Sequence, residues 1–220
     1  MQFFGFLLED SCDINFILKK YCKEYLSLLQ QNNIPGFYRG VFSAPIICKD
    51  DKGRILRQKT TREHRNPKGM PDFKFDKFNT WIEKNGHLKR DMNVCIATSN
   101  KRNAEIHGQP LLIYPIGKIR YTWCKEADIN NYDIKIEALT NYLFSEDDHK
   151  YYKSEKYIEH LRDLKFINSK PENKESILKD IENGLLDMFV TDKDIKTAYI
   201  NSYEIWFKCD KYYLVNDNEV

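Results

Sequence analysis

At 220 residues the chain is long enough for one domain with a sizeable core and too short for two ordinary ones. Apolar residues make up 41% and aromatics 14%, which excludes a disordered chain despite 31% charged residues. The 35 basic and 33 acidic residues leave a formal charge of +2, so no global field gathers phosphate backbones.

The opening run, Met1-Gln2-Phe3-Phe4-Gly5-Phe6-Leu7-Leu8, is apolar but short, lacks a basic lead-in and meets Glu9 and Asp10. It reads as neither a signal peptide nor a membrane span, and no membrane partner is expected. Ser11 or Asp13 can cap a helix running to about Gln31, since Ile14, Ile17, Leu18, Tyr21, Tyr25, Leu28 and Leu29 recur at helical steps. Pro35 and Gly36 stop it, and Phe37 to Phe42 reads as a strand carrying Arg39. Ala44 to Cys48 followed by Asp50-Asp51-Lys52-Gly53 suggests a hairpin.

Residues 49 to 69 are locally basic and could face an anion. Asp72 to Asn85 reads as a helix stopped by Gly86, residues 93 to 99 as a strand ending in Thr98 and Ser99, and Lys101 to Ile106 as a short helix. Leu111 to Gly117 gives another strand. Ile119, Tyr121 and Trp123 alternate with polar neighbours, which predicts a strand with one buried face. From about residue 126 to 199 the chain turns charged and helix-forming, with helices expected near 147 to 164, 174 to 186 and 192 to 199. This reads as a helical insertion beside a mainly β core, all within a single domain spanning residues 1 to 220. Strands return at Tyr203, where two apolar runs around Asp210 suggest a hairpin headed by Glu204.

Cys12, Cys22, Cys48, Cys95, Cys124 and Cys209 are scattered without a CxxC pair, which predicts buried thiols in a reducing compartment. No histidine has a second ligand at a familiar spacing, so no metal is expected. Glu204 would ordinarily be a solvent-facing edge residue, but its bulky neighbours Tyr203, Ile205, Trp206 and Phe207 would partly desolvate it and make partners necessary. Arg39, between Tyr38 and Gly40, is equally suited to a structural ion pair and to bidentate grip of a phosphate, with Gly40 admitting a ligand close to the backbone. Thr98 and Ser99 fit a helix cap or a polar site.

Together Tyr38-Arg39-Gly40, then Ala97-Thr98-Ser99 with Ala104 and Gly108 and an apolar strand to Gly117, and finally Glu204 heading a hairpin, resemble the framework of mono-ADP-ribosyltransferases of the arginine, serine, glutamate type. The resemblance implies an α+β fold, two small packed β-sheets clasping NAD, with an N-terminal helix and a helical insertion. It implies that Arg39 holds the cofactor's phosphates, that Tyr38, Gly40, Thr98 and Ser99 line its site, and that Glu204, with Arg39 and Ser99, supports catalysis. Glu204 would stabilise the oxocarbenium-like cation formed as nicotinamide leaves, and ADP-ribose would pass to an acceptor, a host protein or nucleic acid. Two departures stand out: Ala97 replaces the first hydroxyl of the motif, and Ser202 stands where arginine-modifying members carry a second glutamate.

The basic stretch Thr61 to Asp72 is either a solvated loop or a clamp in which Arg62 and Arg65 hold a pyrophosphate or an acceptor's phosphates. A phage or other mobile-element protein working in a host cytoplasm suits this style of chain. The rival expectation is a noncatalytic module on the same scaffold that binds a nucleotide, a nucleic acid or a host protein. A third is an interaction protein whose polar residues are scattered edges.

Overall fold

Two antiparallel sheets stacked face to face form the centre of the molecule, a computed structural model that describes residues 12–62, 72–90, 93–125, 134–144, 150–167 and 174–216. Sheet A contains β1 (Tyr38–Val41), β2 (Ile46–Lys49), β3 (Ile55–Thr60), β5 (Gln109–Pro115) and β9 (Lys211–Val215), in the order β1-β5-β9-β3-β2. Sheet B contains β4 (Val94–Ala97), β6 (Arg120–Cys124), β7 (Phe189–Thr191) and β8 (Ile205–Lys208), in the order β4-β8-β6-β7. The α+β class is as expected, and the β2–β3 hairpin forms around the turn at Asp50.

Asp13 accepts a hydrogen bond from the Phe16 amide at 2.9 Å and caps α1 (Ile14–Tyr21). The expected continuous helix breaks at Cys22, whose φ of −117° and ψ of 28° leave the helical region, and resumes as α2 (Lys23–Asn32). The break has a packing reason. Ile14 and Leu18 of α1 lie on the outer face of sheet A with Leu56, Tyr213 and Val215, whereas Tyr25 and Leu29 of α2 enter the core between the sheets.

That inter-sheet core joins Phe37, Val41, Leu111, Ile113, Tyr212 and Leu214 of sheet A and its approach to Cys95, Ala97, Tyr121, Trp123, Ile205 and Phe207 of sheet B. The other face of sheet B carries Val94, Ile96, Cys124, Phe189 and Trp206, and is covered by α3 (Asp72–Lys84), α5 (Ile134–Phe144), α6 (Glu155–Asp163) and α7 (Lys174–Leu186). The described residues also include two shorter helices, α4 (Lys101–Glu105) and α8 (Ile195–Ile200), and a 3-10 turn at Lys150–Lys153. The Ile119-to-Cys124 strand therefore has two buried faces, since Tyr121 and Trp123 face one core while Cys124 faces the other.

Two expectations about organisation change. The segment read as a helical insertion also supplies β7, paired to β6 at Thr122↔Thr191 through Cys124↔Phe189, and its helices are a layer of the main core. The tail is not a hairpin: β8 lies between β4 and β6, β9 lies between β5 and β3, and the chain crosses between sheets at Cys209 and Asp210. Both strands are apolar on both faces, so each is stabilised most at the centre of a doubly covered sheet.

The expectation of six thiols is also corrected. Cys12 and Cys48 form a disulfide with Cα atoms 6.1 Å apart, because the Cys12 amide pairs with the Lys49 carbonyl at 3.2 Å and brings the two side chains together. Cys22, Cys95, Cys124 and Cys209 are buried and lie outside that disulfide. No helix among the described residues is long and apolar enough to cross a membrane.

Candidate functional site

The two sheets touch edge to edge at one corner, where the Tyr38 amide donates to the Thr98 carbonyl at 2.7 Å and the Thr98 amide donates back to the Tyr38 carbonyl at 3.0 Å. Arg39 follows directly. Its guanidinium runs along the free edge of β4 and donates to the Ile96 carbonyl at 2.7 Å, while its Nε is buried with no hydrogen-bond partner among the described residues. The guanidinium carbon stands 5.8 Å from the Tyr212 ring centroid.

Register places Lys59 on the same face of sheet A as Arg39, since Lys59 is opposite Tyr212 and Arg39 opposite Leu111, both residues of the inter-sheet core. The Lys59 ammonium donates to the Ser43 carbonyl at 3.3 Å, and the neighbouring Arg57 donates to the Ala44 carbonyl at 3.0 Å, so the strand-to-strand connection after β1 is stapled over β3. The Lys59 ammonium is held below its ordinary pKa by desolvation and then by the positive charges of Arg39 and Arg62. Arg62 is exposed just beyond β3. Among the described residues, none of Arg39, Lys59 and Arg62 forms an ion pair with a carboxylate. Two cations within electrostatic range of a third, with no carboxylate partner among the described residues, make a site that an anion would stabilise.

Glu204 lies elsewhere. Its side chain is 1% exposed and receives the Arg90 guanidinium through two hydrogen bonds, Nε to Oε1 at 2.7 Å and Nη2 to Oε2 at 3.0 Å. Trp206, two residues on along β8, donates its indole N–H to the same Oε1. The period of two puts Glu204 and Trp206 on the helix-covered face of sheet B, whereas Arg39 contacts Cys95 and Tyr212 on the inter-sheet side. Sheet B thus stands between the Arg39 guanidinium and the Glu204 carboxylate.

The hydroxyls serve the turn before Glu204. Thr98 Oγ1 donates to the Ser202 carbonyl at 3.2 Å, and Ser99 Oγ lies 2.5 Å from the Tyr199 carbonyl and 3.2 Å from Ser202 Oγ. They do not cap α4, whose first amides are accepted by Asn100. Gly40 has a different use from the one expected: a Cβ there would stand 1.9 Å from the Ala104 carbonyl oxygen and 2.7 Å from the His107 carbonyl carbon, so the space beside it is filled by α4 and its exit rather than by a ligand. The half-buried Tyr38 has Lys101 Nζ 5.9 Å from its ring centroid. Arg65 and its neighbour His64 lie outside the described residues.

The sequence placed Arg90, with Lys89, beside the basic stretch that could meet nucleic acid and not as the partner of Glu204, and gave Lys59 no separate role. A buried glutamate demands a cation, which was a usable signal, but Arg90 is 114 residues away in sequence and nothing local names it. Lys59 was legible only as one charge in a basic run. Among the described residues no group of His, Cys, Asp and Glu could hold a metal ion.

No protein-family model matches the chain, and neither a curated protein nor a solved structure does.

Proposed function

We propose that this protein is a nucleotide-binding module that grips phosphate at the corner where its two sheets meet, through Arg39, Lys59 and Arg62. The observation that carries the reading is the cluster itself: three cations close enough for two of them to loosen the proton of the third, one with a buried, unpartnered N–H, and none with a carboxylate counter-ion among the described residues. Guanidinium groups suit phosphate because their planar N–H pairs match its oxygens. NAD is the first dinucleotide to try, since the resemblance drawn from Tyr38-Arg39-Gly40 and the segments after it implies a pyrophosphate near Arg39.

Binding is better supported than ADP-ribosyl transfer. The transferase reading needs the Glu204 carboxylate at the ligand, and that carboxylate is withdrawn from solvent, spent on Arg90 and Trp206, and on the far side of sheet B from Arg39. The acceptor, whether host protein or nucleic acid, belongs to that second reading.

The test is calorimetric titration of inorganic pyrophosphate and NAD into wild type and Arg62→Glu, a surface charge reversal that leaves the core intact. Both ligands are expected to bind wild type, and the reversal to weaken both by about tenfold, as for one lost charge-assisted contact. Absence of pyrophosphate and NAD binding overturns the proposal. Release of nicotinamide from NAD by wild type but not by Glu204→Gln returns the weight to the transferase reading.

A further inference from the structure

Pairing between β1 and β4 stops one step after it starts. Tyr38 and Thr98 exchange both of their backbone hydrogen bonds, and a continued antiparallel register would set Gly40 opposite Ile96. Instead β1 turns into sheet A, where Arg39 and Gly40 lie opposite Leu111 and Pro110 of β5. Ile96 is left at an open edge. The phase of the β4–β8 ladder fixes the direction of its backbone groups. The Cys209 amide donates to the Asn93 carbonyl at 2.8 Å, so Cys95 and Ala97 are the β4 residues that bond β8, and Ile96 turns both its amide and its carbonyl toward the gap. Arg39 Nη1 covers the carbonyl. The Ile96 amide has no hydrogen-bond partner among the described residues, although Ile96 is only 8% exposed. A buried amide without a partner is rare in folded proteins. Here a second orphan accompanies it, the buried Nε–H of the same Arg39 whose Nη1 holds the neighbouring carbonyl.

We propose that the gap where β1 leaves β4 seats one phosphoryl group, with one oxygen accepting from the Ile96 amide and a second from Arg39 Nε. The proposal rests on the phosphate-binding reading of Arg39, Lys59 and Arg62 and adds the backbone donor that orients the ligand. Two orphaned donors flank one guanidinium-to-carbonyl bond, and an anion with two free oxygens on one centre can satisfy both, whereas a single-atom anion cannot bridge them with the same geometry. Arg62 borders the start of the same strand, where its carbonyl accepts from the Asn93 amide at 3.2 Å, so a second cationic residue adjoins the open edge. A backbone N–H carries no formal charge and is fixed by the sheet. It therefore sets the position of the phosphoryl group while the cations supply the attraction.

The experiment follows the Ile96 amide directly, by proton–nitrogen magnetic resonance of protein labelled at isoleucine nitrogen, with Ile96→Val identifying its signal. Inorganic pyrophosphate is expected to move the Ile96 signal downfield and to slow exchange of its proton with solvent. The Ile113 amide, already bonded to the Phe37 carbonyl at 3.0 Å, is expected to stay where it is. Replacing the Ile96 amide by an ester removes the N–H and keeps the side chain. That replacement should weaken pyrophosphate roughly tenfold, as for one lost charge-assisted hydrogen bond, with a thermal melt confirming that the ester protein folds. Pyrophosphate binding that leaves the Ile96 signal and its exchange unchanged overturns the seat and leaves the phosphate reading standing, as does equal affinity in the amide and ester proteins. Failure of wild type to bind pyrophosphate removes both.

Discussion

Arg90 and Glu204 form a bidentate ion pair at 2.7 and 3.0 Å in which the carboxylate is buried and the guanidinium reaches the surface with 26% exposure. The pair fastens the segment after α3 to the start of β8, and Trp206 closes it from beneath. Because the carboxylate has no water to fall back on, Arg90→Met is expected to cost about 3–5 kcal/mol, the range for leaving one member of a buried pair uncompensated. Adding Glu204→Gln to that variant should recover much of the loss, since the orphaned charge is then gone. Urea denaturation midpoints of the two single variants and the double variant measure the coupling. Additive effects would mean that the two side chains do not depend on each other.

Gly40 offers a second test, one that separates a glycine kept for a ligand from a glycine kept for packing. The Cβ of Gly40→Ala would collide with backbone atoms of Ala104 and His107, which cannot swing aside as a flexible side chain would. The variant is expected to lose about 1–3 kcal/mol or more, as for an overpacked site, with no ligand present. A ligand-binding glycine would instead give normal stability and weakened binding.

Local signals carried much of the fold. The stops at Pro35 and Gly86 and the apolar periodicity of α3 rest on short-range chemistry, and the structure follows them. Partnership was not local. Nothing within Ile205 to Val215 says that its two strands belong to different sheets, because that is decided by which edges β4, β6, β3 and β5 offer. The same holds for the site. Arg39 stood out as a charge inside an apolar strand and Glu204 as a carboxylate among aromatics; Glu204 is sequestered from bulk water with a cation partner, and Arg39 is part-buried and bonded to a backbone carbonyl. Which face each takes depends on register: one residue's shift along β8 would have turned Glu204 toward the inter-sheet core.

The cysteines give a prediction that needs only a thiol count. With Cys12 and Cys48 paired, unfolding without reductant should expose four thiols, and reduction should raise the count to six. In the folded protein Cys22 should resist thiol reagents, since burial pushes its pKa up to about 12 and leaves almost no thiolate. Reduction should lower stability by about 2–4 kcal/mol, the usual effect of closing a loop of intermediate length. Six reactive groups before reduction would mean that Cys12 and Cys48 are free.

Lys59 turns the cation cluster into a pH-dependent one, and the direction follows from its neighbours. Desolvation and the charges of Arg39 and Arg62 lower its pKa below the ordinary 10.5, so the free protein releases this proton earlier than an exposed lysine would. A bound phosphate reverses the sign of the local field and raises the pKa again. Binding is therefore linked to proton uptake: affinity is full below the free-state pKa and falls as pH rises through the window between the free and bound values. Lys59→Gln removes the titrating group and should flatten that decline at alkaline pH while lowering affinity at neutral pH. Titrating pyrophosphate into both proteins across that range, in buffers of different ionisation enthalpy, measures the affinity and the protons taken up. A decline of equal slope in the two proteins would place the titrating group elsewhere.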